Sequence, residues 1–127
     1  MKIFLICPVR EVTEEENNAI RNYISQLEKN GHSVYWPFRD TNQEDPIGLR
    51  ICRDNRGAIE EADEVHVWWN GKSTGSLFDL GEAFALRKKI VLANPETVQK
   101  IIEDENKWGV GKSFNKFLMK LHKEGPS

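Results

Sequence analysis

The stretch Glu64-Val65-His66-Val67-Trp68-Trp69-Asn70-Gly71-Lys72-Ser73-Thr74-Gly75-Ser76-Leu77-Phe78-Asp79 passes from an apolar, β-branched run through a small polar turn into a helical pattern. Its first six residues read as a strand buried on both faces, as parallel sheets require. Asn70 to Thr74 reads as a turn, and Gly75 to about Arg87 as a helix. A strand that feeds a helix through a short turn is half of a βαβ unit, so the rest of the chain decides whether the unit repeats.

It does repeat. Upstream, Lys2 to Cys7 is a short apolar strand that Pro8 stops. Thr13 with Glu16 three residues on makes a capping box, and Ile20, Tyr23, Ile24 and Leu27 recur at helical spacing until Gly31. His32 to Trp36 is a second strand closed by Pro37, Phe38 to Pro46 a polar loop, and Ile47 to Ala62 a helix. Downstream come a strand at Lys89 to Ala93 and a helix from about Pro95 to Asp104. A glycine-bearing turn at Gly109 and Gly111 and an amphipathic helix from about Ser113 to Lys123 follow. A very short fifth strand is conceivable at Trp108 to Val110. Strict alternation implies parallel strands, right-handed crossovers and a three-layer α/β sandwich of four to five strands, in one domain over 1–127.

Bulk properties narrow the function. A chain of 127 residues fits one domain. A net charge of −2 provides no positive field for nucleic acid, and no apolar run reaches the roughly 18 residues of a membrane span. Arg87-Lys88-Lys89 suits a helix C-terminus. Two separated cysteines, Cys7 and Cys52, and no leader-like start predict a cytoplasmic protein with reduced thiols. The histidines are scattered, so neither a metal nor a cofactor is expected.

In open parallel sheets, ligands bind beyond the carboxyl ends of the strands near the point where strand order reverses. That rule selects Cys7 to Arg10, Pro37 to Gln43 and Trp69 to Asp79. The turn before the third helix, with Ser73, Gly75 and Ser76, offers backbone N–H groups and a helix dipole to an anion. It matches neither a Walker loop nor a dinucleotide fingerprint. Asp79 has two readings, the N3 partner of a Ser76 cap or a carboxylate at the mouth of the site, kept ionised by the dipole. Asn55 shares the apolar helix face of Ile51, Ala58, Ile59 and Ala62, either bonding backbone at the core edge or contacting ligand. Arg10 is a surface arginine or a bidentate phosphate ligand. Phe38 and Trp69, among the aromatics at the strand ends, are core or rim, or stack a planar base.

Three segments carry a resemblance: Met1-Lys2-Ile3-Phe4 with Arg10, Ala58-Ile59-Glu60-Glu61-Ala62-Asp63, and Gly75-Ser76-Leu77-Phe78-Asp79-Leu80-Gly81-Glu82-Ala83. Together they resemble the nucleoside 2-deoxyribosyltransferase superfamily, which includes the deoxyribonucleoside 5′-monophosphate N-glycosidases. The likeness covers about three-quarters of the chain. It implies a flavodoxin-like (Rossmann-like) sandwich and cleavage of an N-glycosidic bond through a carboxylate nucleophile, followed by transfer to a base or to water. The nucleophile position falls on Asp79, where the family usually has glutamate, and the family's proton-transfer acid falls on Asn55. Ser73 with Arg10 implies a 5′-phosphate, with Gly75, Ser76, Cys7 and Pro8 completing a nucleotide or nucleoside site. The family also implies a homodimer or higher homo-oligomer, for which the stripe Phe114, Phe117, Leu118 and Leu121 is an interface candidate or simply the face docked on the sheet. With Asp79 shortened and Asn55 unable to act as an acid, the alternative is a catalytically weak or inactive nucleotide or sugar-phosphate binding protein.

Overall fold

The computed structural model describes residues 1–9, 12–104 and 112–125. Four parallel strands form one sheet: β1 (Lys2–Ile6), β2 (Ser33–Tyr35), β3 (Glu64–Val67) and β4 (Lys89–Leu92), in the order β2-β1-β3-β4. Every neighbouring pair is parallel, with Phe4 opposite Val65 and Tyr35, and Val65 opposite Ile90. Strand order reverses between β1 and β3, so the crevice at their carboxyl ends is the predicted ligand position of a flavodoxin-like sandwich.

Period-two alternation sorts the strand residues between the faces. Ile3, Leu5 and Cys7 pack with Val34 and Trp36 against Ile20 and Ile24 of α1 (Glu14–Lys29). Phe4, Ile6, Val65, Val67, Ile90 and Leu92 point to the other face. There they meet Ile59 of α3 (Leu49–Glu61) and Leu80 and Ala83 of α4 (Thr74–Ala85). The same core continues into Val98 of α5 (Pro95–Glu103) and Leu118 of α6 (Lys112–Glu124). His122 of α6 accepts the Leu92 N–H at 2.9 Å, so α6 occupies the outer edge of β4. Leu118 is fully buried and Phe114 and Leu121 pack on the core, so that stripe is chiefly a docking face, with only Phe117 substantially exposed. No described helix is long and apolar enough to cross a membrane.

Three particulars of the helices differ from the sequence expectation. The stretch expected to be a loop from Phe38 holds a short helix, α2 (Pro37–Asp40). Proline presets its first dihedral, and the Asp40 carboxylate accepts the Trp36 N–H at 2.8 Å, so the turn closes locally. The α3 helix begins two residues later than expected, after Gly48 at φ 85°, and Asp45 accepts the N–H groups of Arg50 and Ile51. The α4 helix starts one residue earlier, at Thr74. The candidate fifth strand at Trp108 to Val110 and the turn at Gly109 and Gly111 lie outside the described residues.

Beyond β3 the chain is fixed by an amide in place of a ladder. Asn94 accepts the Trp69 N–H at 2.9 Å and donates to the Trp69 carbonyl at 2.7 Å, and it is buried. Replacing it by alanine leaves both Trp69 backbone groups unpaired, at about 1–3 kcal/mol each. Asn94→Ala is therefore expected to lower the unfolding free energy by about 2–4 kcal/mol in urea titration, whereas a loss below about 0.5 kcal/mol would show that water replaces the amide.

Candidate functional site

The carboxyl ends of β1 and β3, with α2 to α4, enclose a cavity of about 460 Å³, within the range of ordinary small-molecule sites. Cys7, Pro8 and Val9 form the wall beyond β1, and Asn70, Lys72 to Ser76, Phe78 and Asp79 form the wall beyond β3. The third wall comes from Pro37, Gln43, Gly48, Ile51, Cys52 and Asn55. Seven sequence candidates thus converge here: Asp79, Asn55, Ser73, Gly75, Ser76, Cys7 and Pro8.

The turn that leads into α4 is built from short local bonds. Asn70 accepts the Lys72 N–H at 3.0 Å, and Gly71 takes φ 80°, which a side chain would strain. Ser73 is the N-cap, its Oγ accepting the Ser76 N–H at 3.2 Å. The expected cap at Ser76 with Asp79 as its N3 partner is therefore corrected by three residues. Ser76 takes N3, and Asp79 sits a turn further in, free of backbone duty. The first helical N–H groups, of Thr74 and Gly75, have no partner among the described residues and line the cavity. A Cβ at Gly75 would meet nothing nearer than Ser73 Oγ at 4.0 Å, so this glycine is not sterically required; it leaves its N–H open to approach. Ser76 is almost fully buried on the cavity wall, and its hydroxyl has no partner among the described residues.

Asp79 is half-buried, and its carboxyl is pushed up to about 7, first by burial and then by repulsion from Glu82 one turn on. The expectation of a carboxylate held ionised by the dipole is therefore overturned, because desolvation outweighs the helix terminus. Asp79 in turn raises the thiols of Cys7 and Cys52, though burial is the larger cause for both. Cys7 is buried and pushed up to about 12 despite a hydrogen bond from Trp36 Nε1 at 3.2 Å, so it is an inert thiol in the wall.

Asn55 is buried, as its place on the apolar face of α3 suggested, but its partner is a side chain and not backbone. Thr41 Oγ1 donates to Asn55 Oδ1 at 2.8 Å, and Tyr35 OH lies 2.6 Å from Thr41 Oγ1. Arg10 lies outside the described residues. Neither aromatic candidate lines the cavity. Phe38 stacks on Trp36 at 5.0 Å on the α1 side, close to the Arg21 guanidinium. Trp69 is completely buried, donating to Asn115 Oδ1 at 2.8 Å and packed on Phe114, so neither ring face is open to a base.

Sequence reading missed Cys52 on the cavity wall, and it placed Lys72, Gln43 and Phe78 in the ligand-facing segments without singling them out. Lys72 had a signal, a cation inside the glycine-bearing turn. Phe78 is 55% exposed and offers the ring face that Trp69 cannot. Cys52 stands far from Cys7 in the chain, and nothing in the spacing joined them. Among the described residues no group of three His, Cys, Asp or Glu side chains forms a metal site.

Solved structures share this fold. A CMP N-glycosidase, BcmB, from Clostridium botulinum superposes with a TM-score of 0.54 at 24% identity, over 72% of this chain and 66% of that one. A 2-deoxyribosyltransferase from Bacillus psychrosaccharolyticus superposes with a TM-score of 0.59 at 23% identity, over 72% of this chain and 71% of that one. The chain thus spans just under two-thirds of the length of the first. No protein-family model matches the chain, and no curated protein matches it in sequence.

The state of Asp79 carries a stability cost that pH reveals. Its folded value lies above the ordinary carboxyl range, so the folded form holds the proton more tightly than the unfolded one. The associated stability is complete below about pH 4 and lost as pH rises through about 7. The ceiling of that loss is about 4 kcal/mol, and partial access to water reduces it to about 1–2 kcal/mol. Asp79→Asn should therefore stabilise the protein by about 1–2 kcal/mol at pH 8 and by little at pH 4, in denaturant titrations at both. Equal effects at the two pH values would remove burial as the cause.

Proposed function

We propose that the protein breaks the N-glycosidic bond of a nucleoside 5′-monophosphate, with Asp79 as nucleophile and water or a second base as acceptor. The observation that carries this reading is the pairing on one helix of an open anion cradle with a carboxylate one turn deeper in the same cavity. The N–H groups of Thr74 and Gly75, the hydroxyls of Ser73 and Ser76 and the Lys72 ammonium all donate, which suits a dianionic phosphate and would repel nothing on it. Arg10, which follows Val9 in the chain, is assigned to the same phosphate on its sequence position. Phe78 is assigned the base-stacking role. The fold shared with a CMP N-glycosidase and a 2-deoxyribosyltransferase supports the reaction class.

In the first step an ionised Asp79 oxygen attacks C1′. The C1′–N bond breaks, and the base leaves with the electron pair and takes a proton from water. In the second step water or another base displaces the carboxylate and restores Asp79. Only the ionised form attacks, and with a carboxyl near 7 about half of the molecules hold it at neutral pH.

A second reading, binding without turnover, is favoured by one observation: the Asn55 amide stands on the wall where an acid would assist the leaving base, and an amide gives no proton.

Release of free base from a panel of nucleoside and deoxynucleoside 5′-monophosphates separates the two. The glycosidase reading expects slow release whose kcat/KM rises with pH and levels off above about 7, and a loss of about 1,000-fold or more in Asp79→Ala. Asn55→Asp should add a proton donor and raise the rate about 100-fold on the acid side of its own titration. Thermal stabilisation by nucleotides without release in either protein would leave the binding reading. Neither release nor stabilisation would dispose of both.

A further inference from the structure

We infer that Asn55 selects the base of the bound nucleotide by presenting a fixed hydrogen-bond donor, and that Tyr35 and Thr41 are the positioning residues that fix it. The inference rests on the nucleotide reading above and deepens it.

Tyr35 closes β2, and its ring stacks on Phe4 with centroids 5.5 Å apart and planes 12° apart, which holds its hydroxyl in place. That hydroxyl lies 2.6 Å from Thr41 Oγ1, and Thr41 Oγ1 donates to Asn55 Oδ1 at 2.8 Å. A threonine hydroxyl has one proton. Because Thr41 gives it to Asn55, the proton between Tyr35 and Thr41 comes from Tyr35, for which Thr41 Oγ1 at 2.6 Å is a much nearer acceptor than the Asp40 carbonyl at 3.5 Å, and the chain runs one way into the amide oxygen. Thr41 is buried and stands behind Asn55, off the cavity wall, while Asn55 lines it. The Asn55 Nδ2 group has no partner among the described residues.

An amide whose oxygen is occupied offers only its N–H groups. A buried donor facing a ligand is costly unless it meets an acceptor, so the matching ligand atom accepts and does not donate. A sugar hydroxyl both donates and accepts and would tolerate either face of a turning amide. The one-way chain discriminates only for an atom that is an acceptor alone: the phosphate oxygens are of that kind but are assigned to the donors at the start of α4 on the other wall, which leaves a ring nitrogen or a carbonyl oxygen of the base as the planar match. The planar amide also suits the planar edge of a base.

The test measures dissociation constants for one purine and one pyrimidine nucleoside 5′-monophosphate and for analogues in which a single ring nitrogen or carbonyl is replaced by C–H. Wild type should lose about 10-fold or more in affinity for one such replacement. In Thr41→Val the amide is free to turn, and the penalty for that same replacement should shrink below about 3-fold; Thr41→Ser should restore it. A merely structural role would weaken all ligands together and leave the ratio unchanged. A ratio that survives Thr41→Val with folding intact, or a wild type indifferent to every replacement, overturns the inference while nucleotide binding stands. In the ligand-free protein, NMR detection of the Asn55 amide protons bonded to Thr41 overturns it independently of any ligand. Failure of every nucleotide to bind overturns the nucleotide reading first, and this inference with it.

Discussion

The hydroxyl of Ser73, accepting the Ser76 N–H at 3.2 Å, sets the phase of α4 and through it most of the cavity. A cap at this residue leaves the Thr74 and Gly75 N–H groups open at the end of the turn. It carries Ser76 into the first turn and under the surface, with a hydroxyl that finds no partner among the described residues. It also moves Asp79 a turn inward. Had the helix begun at Ser76, the Asp79 carboxylate would face the N-terminal amides, and hydrogen bonds to its charged form would hold it low. The phase of one helix therefore decides whether this residue is a stabilising cap or a destabilised acid facing a cavity.

The cost of that arrangement falls on the rest of the fold. The wall around Asp79 includes Pro8, Ile51 and two neutral thiols, and one of these is pushed up to about 12 by the same dry surroundings. Such a wall solvates charge poorly, which is why the carboxyl rises. It equally strengthens any charge or hydrogen bond made to a ligand there, because the effective dielectric is low. The core absorbs the penalty. Trp69, Asn94 and Asn115 tie the exit of β3 to β4 and α6 with side-chain bonds where strand pairing has ended. This keeps the turn to α4 in register with β1 across the crevice.

The fold was largely legible because its signals are local and repeated. Parallel strands buried on both faces read as apolar runs, and turns with glycine or proline punctuate them, so all four described strands and their alternation with helices could be read. The ligand end of the sheet followed from topology, and with it seven residues of the cavity. What escaped was long-range or a matter of phase. The cap was read at Ser76 because an acid follows it three residues on, whereas Ser73 is followed at that spacing by Ser76, which gives no such signal. Trp69 read as a strand-end aromatic because nothing in the chain told that α6 would bury it. Asn55 stood out as a polar residue on an apolar stripe, but Thr41, its partner, sits on another element, behind a short helix closed by Pro37 and Asp40.

The two polar walls of the cavity answer differently to solution conditions. On the α4 side, the Asp79 carboxyl changes charge near neutral pH. On the α3 side, Asn55 is an amide bonded to an alcohol, Thr41, and neither is an ionisable group. The Asn55 donor and the open backbone amides of α4 are therefore unchanged across the range in which Asp79 changes charge. The group that changes charge and the fixed donors thus share one cavity: Thr74 and Gly75 belong to the same helix as Asp79, and Asn55 stands on the α3 wall.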